Sequence, residues 1–195
     1  GNAVNVAVQL CRLGRKAAYF GAVGSDEAGA RTLHVLGRNG VDVGHVRTVP
    51  GITAYTEVAR NKEGDRKFVH EEFGVVQDYR TDAADVAVLK SARHVHIGWL
   101  NDDGALRIAL AAAGISVSQD ISVNAETRNL GVAGLAIAFA TSDGSKAEAA
   151  EKARALIAAS VASQDGAGQI ATARGDLLEI VETARRDGFV VADDG

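Results

Sequence analysis

Cysteine and proline occur once each in this chain of 195 residues. A lone Cys11 excludes an internal disulfide, so no covalent staple helps hold the fold. It falls on the apolar side of a helical pattern, where a thiol reads as a buried, reduced packing group. One proline beside 22 glycines argues for tight connections between regular elements rather than a disordered tail. The longest apolar run, "VAGLAIAFA", is well short of the ~20 residues that a membrane-spanning helix needs. No basic stretch leading into an apolar one opens the chain, so no secretion signal is visible. Basic residues nowhere gather in a run, and the net charge is only -4. That excludes the electrostatic footprint of a nucleic-acid binder and a polybasic membrane anchor. The expectation is a cytoplasmic protein. The first residue is Gly rather than Met and a helix begins almost at once, which suggests a segment of a longer gene product.

What is present is ordinary for a globular domain: 47% hydrophobic and 24% charged residues, in a chain long enough to bury a core. "AVNVAVQLCRLG" carries apolar residues at helical spacing and stops at Gly14, a glycine suited to end a helix. "AAYFGAVG" reads as a buried strand, and "SDEAGARTLHVLGRNG" as a helix starting at Ser25 or Asp26 and ending at Asn39-Gly40. "GITAYTEVAR" and "DRKFVHEEFG" flank "NKEGD", the pattern of an antiparallel hairpin with one face partly wet. Helix and strand then alternate: "TDAADVAVLKSA" helix, "HVHIGWL" strand, "DDGALRIALAAAG" helix, "ISVSQDIS" and "GLAIAFA" strands, and "SKAEAAEKARALIAAS" a helix capped by Ser145. This rhythm predicts an α/β fold, a mostly parallel sheet with helices on both faces, from which the hairpin of about residues 50–75 projects. No internal repeat or low-complexity linker divides residues 1–195, which read as one domain.

Asn2 and Asn5, three apart, share one face at the start of the first helix. Each amide offers a donor and an acceptor, matching the vicinal hydroxyls of a sugar, and a helix N-terminus adds free backbone N–H groups. A plain N-cap with a solvated neighbour would show the same spacing. The wider pattern bears on this choice: Gly1, Asn2, Asn5, Leu13 and Gly14, followed by Gly21, Gly24, Asp26 and Gly29. In that order these residues resemble the N-terminal signature of the ribokinase-like carbohydrate kinases, the PfkB family. "NGVDVGHV" is similar to the segment leading into that family's lid, and "GITAYTEV" to its first lid strand. "GNAVNVAV" together with "DRKF" is most similar to the fructoselysine 6-kinase branch. The resemblance runs over about residues 1–160.

The resemblance implies a ribokinase-like three-layer sandwich with a projecting antiparallel β lid, and transfer of a phosphoryl group from ATP, with Mg²⁺, to a sugar or fructosamine-type hydroxyl. It implies sugar contacts by Gly1, Asn2 and Asn5, and a homodimer formed through the lid. Lid residues Tyr55, Glu57 and Phe68 are candidates for contact with substrate or partner. Asp26 and Gly29 read chiefly as an N-cap acid and a close-packing glycine that support the sugar site. In "SQDISVN", Asp120 and Ser122 stand at the C-terminal end of a parallel strand, where open α/β sheets bind ligands. They are candidate substrate ligands, and a polar loop with a capping Asp is the competing reading. Asn124 and Arg128 follow, the latter suited to an anionic substrate group. Trp99, at another strand end, reads as packing or as a stacking surface for a sugar.

The C-terminal part departs from the family. Phosphoryl transfer needs stabilised phosphates, an aligned hydroxyl and a group to take its proton. The family's Gly-Ala-Gly-Asp supplies the last, and here the only look-alike is Gly166, Ala167, Gly168, Gln169, which reads as a chance match: its amide cannot act as the base, and it precedes the nucleotide-binding strands that should come before the motif. No catalytic residue is therefore assigned. "QIATARGD" is similar to the strand beneath the nucleotide, making Thr172 and Gly175 the nucleotide-side candidates. Thr141, Ser142 and Asp143 stand where an Asn-x-x-Glu near Mg²⁺ is usual, and Asp143 reads equally well as a helix cap. No Walker A loop or G-x-G-x-x-G offers another phosphate site. Two readings follow, an ATP-dependent carbohydrate kinase seen in part and a non-catalytic sugar-binding or dimerisation relative. A dehydrogenase is disfavoured by the missing glycine fingerprint.

Overall fold

The computed structural model describes residues 2–62, 64, 66–121 and 132–139, together with 147, 148 and 151. Helix α1 (Asn2–Arg12) buries Ala7 and Val8. It ends at Gly14, whose φ of 74° suits the turn that closes Gly14 and Arg15 N–H onto the carbonyls of Cys11 and Leu10. Strand β1 (Gly21–Gly24) leads into α2 (Glu27–Arg38), which is capped by Asp26 and buries Leu36 completely. Strand β2 (Val46–Val49) lies parallel to β1, Gly21 opposite Val46 through Gly24 opposite Val49. The hairpin β3 (Tyr55–Arg60) and β4 (Arg66–Glu72) is antiparallel, with a bulge between Glu57 and Val58. Beyond a short 3₁₀ turn come α3 (Ala83–Leu89), β5 (His94–Ile97), α4 (Ala105–Ala112), β6 (Ser116–Asp120) and β7 (Ile137–Phe139). Strands β5, β6 and β7 form a parallel sheet in that order.

Two hydrophobic clusters hold these elements. One gathers Ala7 and Val8 of α1 with Leu36 of α2 and Val41. The other joins Ala22 of β1, Leu89 of α3, Val95 and Ile97 of β5, Leu106 and Leu110 of α4, and Val117 of β6. Because side chains alternate along a strand, His94, His96, Ser116, Ser118 and Asp120 take the opposite face from Val95, Ile97 and Val117. The α/β pattern and the antiparallel lid are as the sequence predicts.

Several expectations need correction. Strand β2 falls where no element is expected, sharing only Val46 with the segment "NGVDVGHV" that resembles a lead into the lid. Its side chains are at most half-buried, so they lack the apolar run that marks a core strand. Arg47 gives it a role, binding Asp82 at 2.8 Å and Asp85, the two acids of the α3 capping box, and lying over the Tyr79 ring. The strand expected over 17–24 is regular only from Gly21, with an isolated bridge from Ala18 to Asp42 before it. The strand expected over 94–100 stops at Ile97. Helix α4 starts at Ala105 rather than 102, because the Asp102 carboxylate accepts from the N–H groups of Gly104 and Leu106 as a cap does. Cys11 is half-buried rather than buried, with its thiol 3.4 Å from the Gly40 carbonyl. Most of the helix expected over 145–160 and the strands expected over 169–176 and 188–195 lie outside the described residues.

Candidate functional site

The first turn of α1 meets the C-terminal ends of β5 and β6. There Asn2 Nδ2 donates to Asp120 Oδ2 at 2.5 Å, joining residues 118 positions apart. The close approach depends on Gly98, just past β5, because a Cβ there would overlap the Asn2 amide oxygen and press on Ala3. An amide and a carboxylate thus meet beside a helix N-terminus, whose N–H groups are donors, a combination of groups suited to hydroxyls. Asn5 is exposed, so of the two amides only Asn2 is built into the protein.

A second junction fixes the lid's root. Asp26 Oδ1 accepts from Gly29 N at 2.9 Å, the N-cap bond of α2. The same carboxylate takes the backbone N–H of Thr53 at 2.9 Å and its hydroxyl at 2.5 Å. The Thr53 hydroxyl in turn accepts from Gly24 N at 2.9 Å. The Thr53 hydroxyl first, then the Thr53 and Gly29 N–H groups, hold the Asp26 carboxyl below its ordinary value. Gly24 and Gly29 are glycines because a Cβ on Gly24 would collide with the backbone of 51–53, and one on Gly29 with the Gly24 carbonyl. Asp26 and Gly29 are thus the cap and close-packing pair expected, and Asp26 also anchors the lid. Thr53, which makes that anchor, was not among the candidates. Its role comes from contacts 27 and 29 residues away, for which a single threonine gives no signal.

The lid itself stands out from the sheet. Every residue of β3 is exposed, and Tyr55, Val58, Phe68 and Val69 all expose apolar surface. Tyr55 packs against His70 across the hairpin with ring centroids 5.8 Å apart. At the lid's exit, the Phe73 and Trp99 rings meet tilted, with centroids 4.4 Å apart, so the aromatic side chain next to Gly98 contacts the lid's base. Among the described residues no group of three or more His, Cys, Asp or Glu is placed to hold a metal ion.

On the Asp120 face of the sheet, polar side chains form a continuous chain. His94 Nδ1 lies 2.9 Å from Ser116 Oγ, His94 Nε2 is 2.8 Å from Ser118 Oγ, and His96 Nδ1 is 2.9 Å from the same Ser118 Oγ. Burial holds both imidazoles below their ordinary pKa, and for His96 the neighbouring His94 adds to this while Asp120 opposes it.

Comparison with known proteins gives the family of the chain. Residues 1–121 match the model of the pfkB family carbohydrate kinases. The chain belongs to that family. It is 42% identical over 77 residues to fructosamine kinase FrlD of Bacillus subtilis, covering 40% of this chain and 27% of that protein. It is 40% identical over 96 residues to fructoselysine 6-kinase of Escherichia coli, covering 49% of this chain and 36% of that protein. The chain therefore spans about a third of the length of these curated relatives. Among solved structures, the fructokinase of Halothermothrix orenii superposes with a TM-score of 0.56 at 20% identity, over 64% of this chain and 46% of that one, which establishes the ribokinase-type fold.

Among the site candidates of this pfkB-family chain, Asn2 and Asp120 are the two that the structure brings together. Tyr55 sits on the lid, 44% exposed, packed on His70. Gly1, Ser122, Thr172 and Gly175 lie outside the described residues, as do Asn124, Arg128 and Asp143.

Proposed function

We propose that this chain carries the sugar-binding part of an ATP-dependent carbohydrate kinase that phosphorylates a hydroxyl of a sugar or fructosamine-type substrate. Asn2 and Asp120 bind the hydroxyls, the hairpin covers them, and Asn5 reaches the substrate from the exposed side of α1. The reading rests above all on the Asn2–Asp120 bond. It places an amide and a carboxylate at strand ends beside a helix N-terminus, in a family of carbohydrate kinases. The fructosamine class is favoured because the relatives FrlD and fructoselysine 6-kinase are named for it.

ATP and Mg²⁺ belong to the half of the reaction assigned to Thr172, Gly175 and segments of the longer relatives. When bound, they supply the phosphoryl group and neutralise its charge. The described residues orient the acceptor hydroxyl. The described part belongs to one incomplete ribokinase-like domain of a cytoplasmic enzyme that dimerises through the exposed faces of β3 and β4.

A second reading is a non-catalytic sugar-binding or dimerisation relative of the family. A protein without the base keeps the sugar site and loses turnover, and removal of a general base costs about 10²–10⁴ in rate. A coupled ATP-consumption assay with fructoselysine, fructose and ribose, run beside a binding measurement, separates the two. Sugar-dependent ATP consumption supports the kinase, and binding without turnover supports the sugar-binding relative. Absence of both rejects the sugar site.

A further inference from the structure

Contacts at the root of the lid lead to different parts of the protein. The lid's entry is held by Thr53, whose backbone N–H and hydroxyl both donate to Asp26 at the cap of α2. Its exit is held to its entry, because the Val75 N–H donates to the Ile52 carbonyl at 3.0 Å. Gly74 permits this approach, with a φ of 47° and no room for a Cβ against the same carbonyl. The two lid strands are thus joined at their base. A further tie is the contact of Phe73 with Trp99, and it leads to the end of β5.

Trp99 follows Gly98, the residue against which the first turn of α1 rests. A Cβ at Gly98 would stand 2.4 Å from Asn2 Oδ1 and 3.0 Å from the Ala3 Cβ. The Asn2 amide therefore lies in contact with the Gly98 backbone itself. Close-packed interiors transmit displacement, so a shift of Gly98 moves that amide and, with it, the bond to Asp120. Two consecutive residues past β5 consequently touch two different things. Gly98 touches the Asn2–Asp120 pair, and Trp99 touches the lid.

The Trp99 indole is held without a polar contact. Its Nε1 is buried and has no hydrogen-bond partner. Packing alone sets the place of the ring, and Phe73, with centroids 4.4 Å apart, is part of that packing. A ring held in this way follows its neighbour when the neighbour moves.

We infer that Trp99 is a positioning residue that couples the lid to the Asn2–Asp120 pair: the Phe73 ring sets the indole, the indole sets the Gly98 backbone, and Gly98 sets the Asn2 amide. Displacing the lid loosens the pair, and occupying the pair draws on the lid, because coupling between two sites is reciprocal. Its effect on sugar affinity rests on the function proposed above. The coupling itself is tested without any sugar.

The test is a double-mutant cycle on the whole chain, with Phe73→Ala, Asn2→Ala and both together, read by urea unfolding. Losses at independent sites add. Here the double variant loses less than the sum, since either substitution alone already releases the Gly98–Trp99 step. In a Trp99→Ala background the losses become additive. In Trp99→Phe, which keeps a ring against Phe73, the coupling returns. Additive losses in the parent overturn the proposal, as does coupling that survives Trp99→Ala. Trp99 is the only tryptophan of the chain, so its emission reports the same link. Asn2→Ala shifts that emission, and an unchanged emission in folded Asn2→Ala overturns the proposal even where the Phe73 variants do not fold. Fructoselysine affinity measured in parallel falls about five-fold or more in Trp99→Ala and stays near the parent in Trp99→Phe. A parent that binds no such sugar counts against the proposed function and leaves the cycle untouched.

Discussion

At Thr53 one hydroxyl both donates to Asp26 and accepts from Gly24 N–H, in a residue that is 8% exposed. Thr53→Val keeps the shape and removes both bonds, leaving a buried backbone donor unpaired. The expected loss is about 1–3 kcal/mol of stability, read from urea unfolding, with Thr53→Ser close to the parent. The pH dependence has a definite sign. Asp26 is held below its ordinary value of 3.8, so its contribution is present above that value and fades as pH falls through the lower, folded one. His94 and His96 are also held low, so the unfolded chain binds protons that the folded chain refuses. Stability falls as pH drops below the ordinary histidine value of 6.5 and levels off once pH is below the folded values. Melting temperature measured across this range should decline in both steps. In His96→Gln the first step should shrink.

Between elements, α4 and β6 are joined by a buried polar contact. Arg107, 3% exposed, donates from a terminal guanidinium nitrogen to Gln119 Oε1 at 2.9 Å, and burial lowers the guanidinium pKa. Gln119→Leu leaves a buried cation without that acceptor, and a hydrogen bond to a charged group is worth about 1.5–3 kcal/mol. Denaturant unfolding of this variant should show a loss of that order. The same scale separates what the sequence discloses from what it hides. Helices α1 and α2 are legible from apolar spacing and from Gly14, Asp26 and Gly40, because the signals are local. The lid is legible from two extended runs about Gly64. Strand β2 is not, because "VRTV" becomes a strand through its pairing with β1 rather than through burial of its own. Asn2 and Asp120 can each be singled out, but their bond crosses 118 positions and only the fold supplies it. Asn5, equal to Asn2 by spacing, differs from it because the β-strand ends lie on one side of α1. The alternation in "HVHI" and "SVSQ" is visible, yet its consequence depends on the parallel register that puts His94 opposite Ser116 and His96 opposite Ser118.

For the molecule as a whole, the lid carries exposed Val58, Phe68 and Val69 on two strands. Surface of that kind marks an interaction face. The proposed dimer should therefore appear by analytical ultracentrifugation and dissociate in Phe68→Asp, whereas a monomer in the unsubstituted chain would remove the lid from the interface. The sugar site itself is probed by calorimetric titration of fructoselysine into the chain. The parent should bind, and both Asn2→Ala and Asp120→Ala should weaken binding by about ten- to a hundred-fold, the equivalent of one charge-assisted hydrogen bond, in variants that stay folded by circular dichroism. Affinity unchanged in both folded variants would contradict the assignment of the sugar to the Asn2–Asp120 pair.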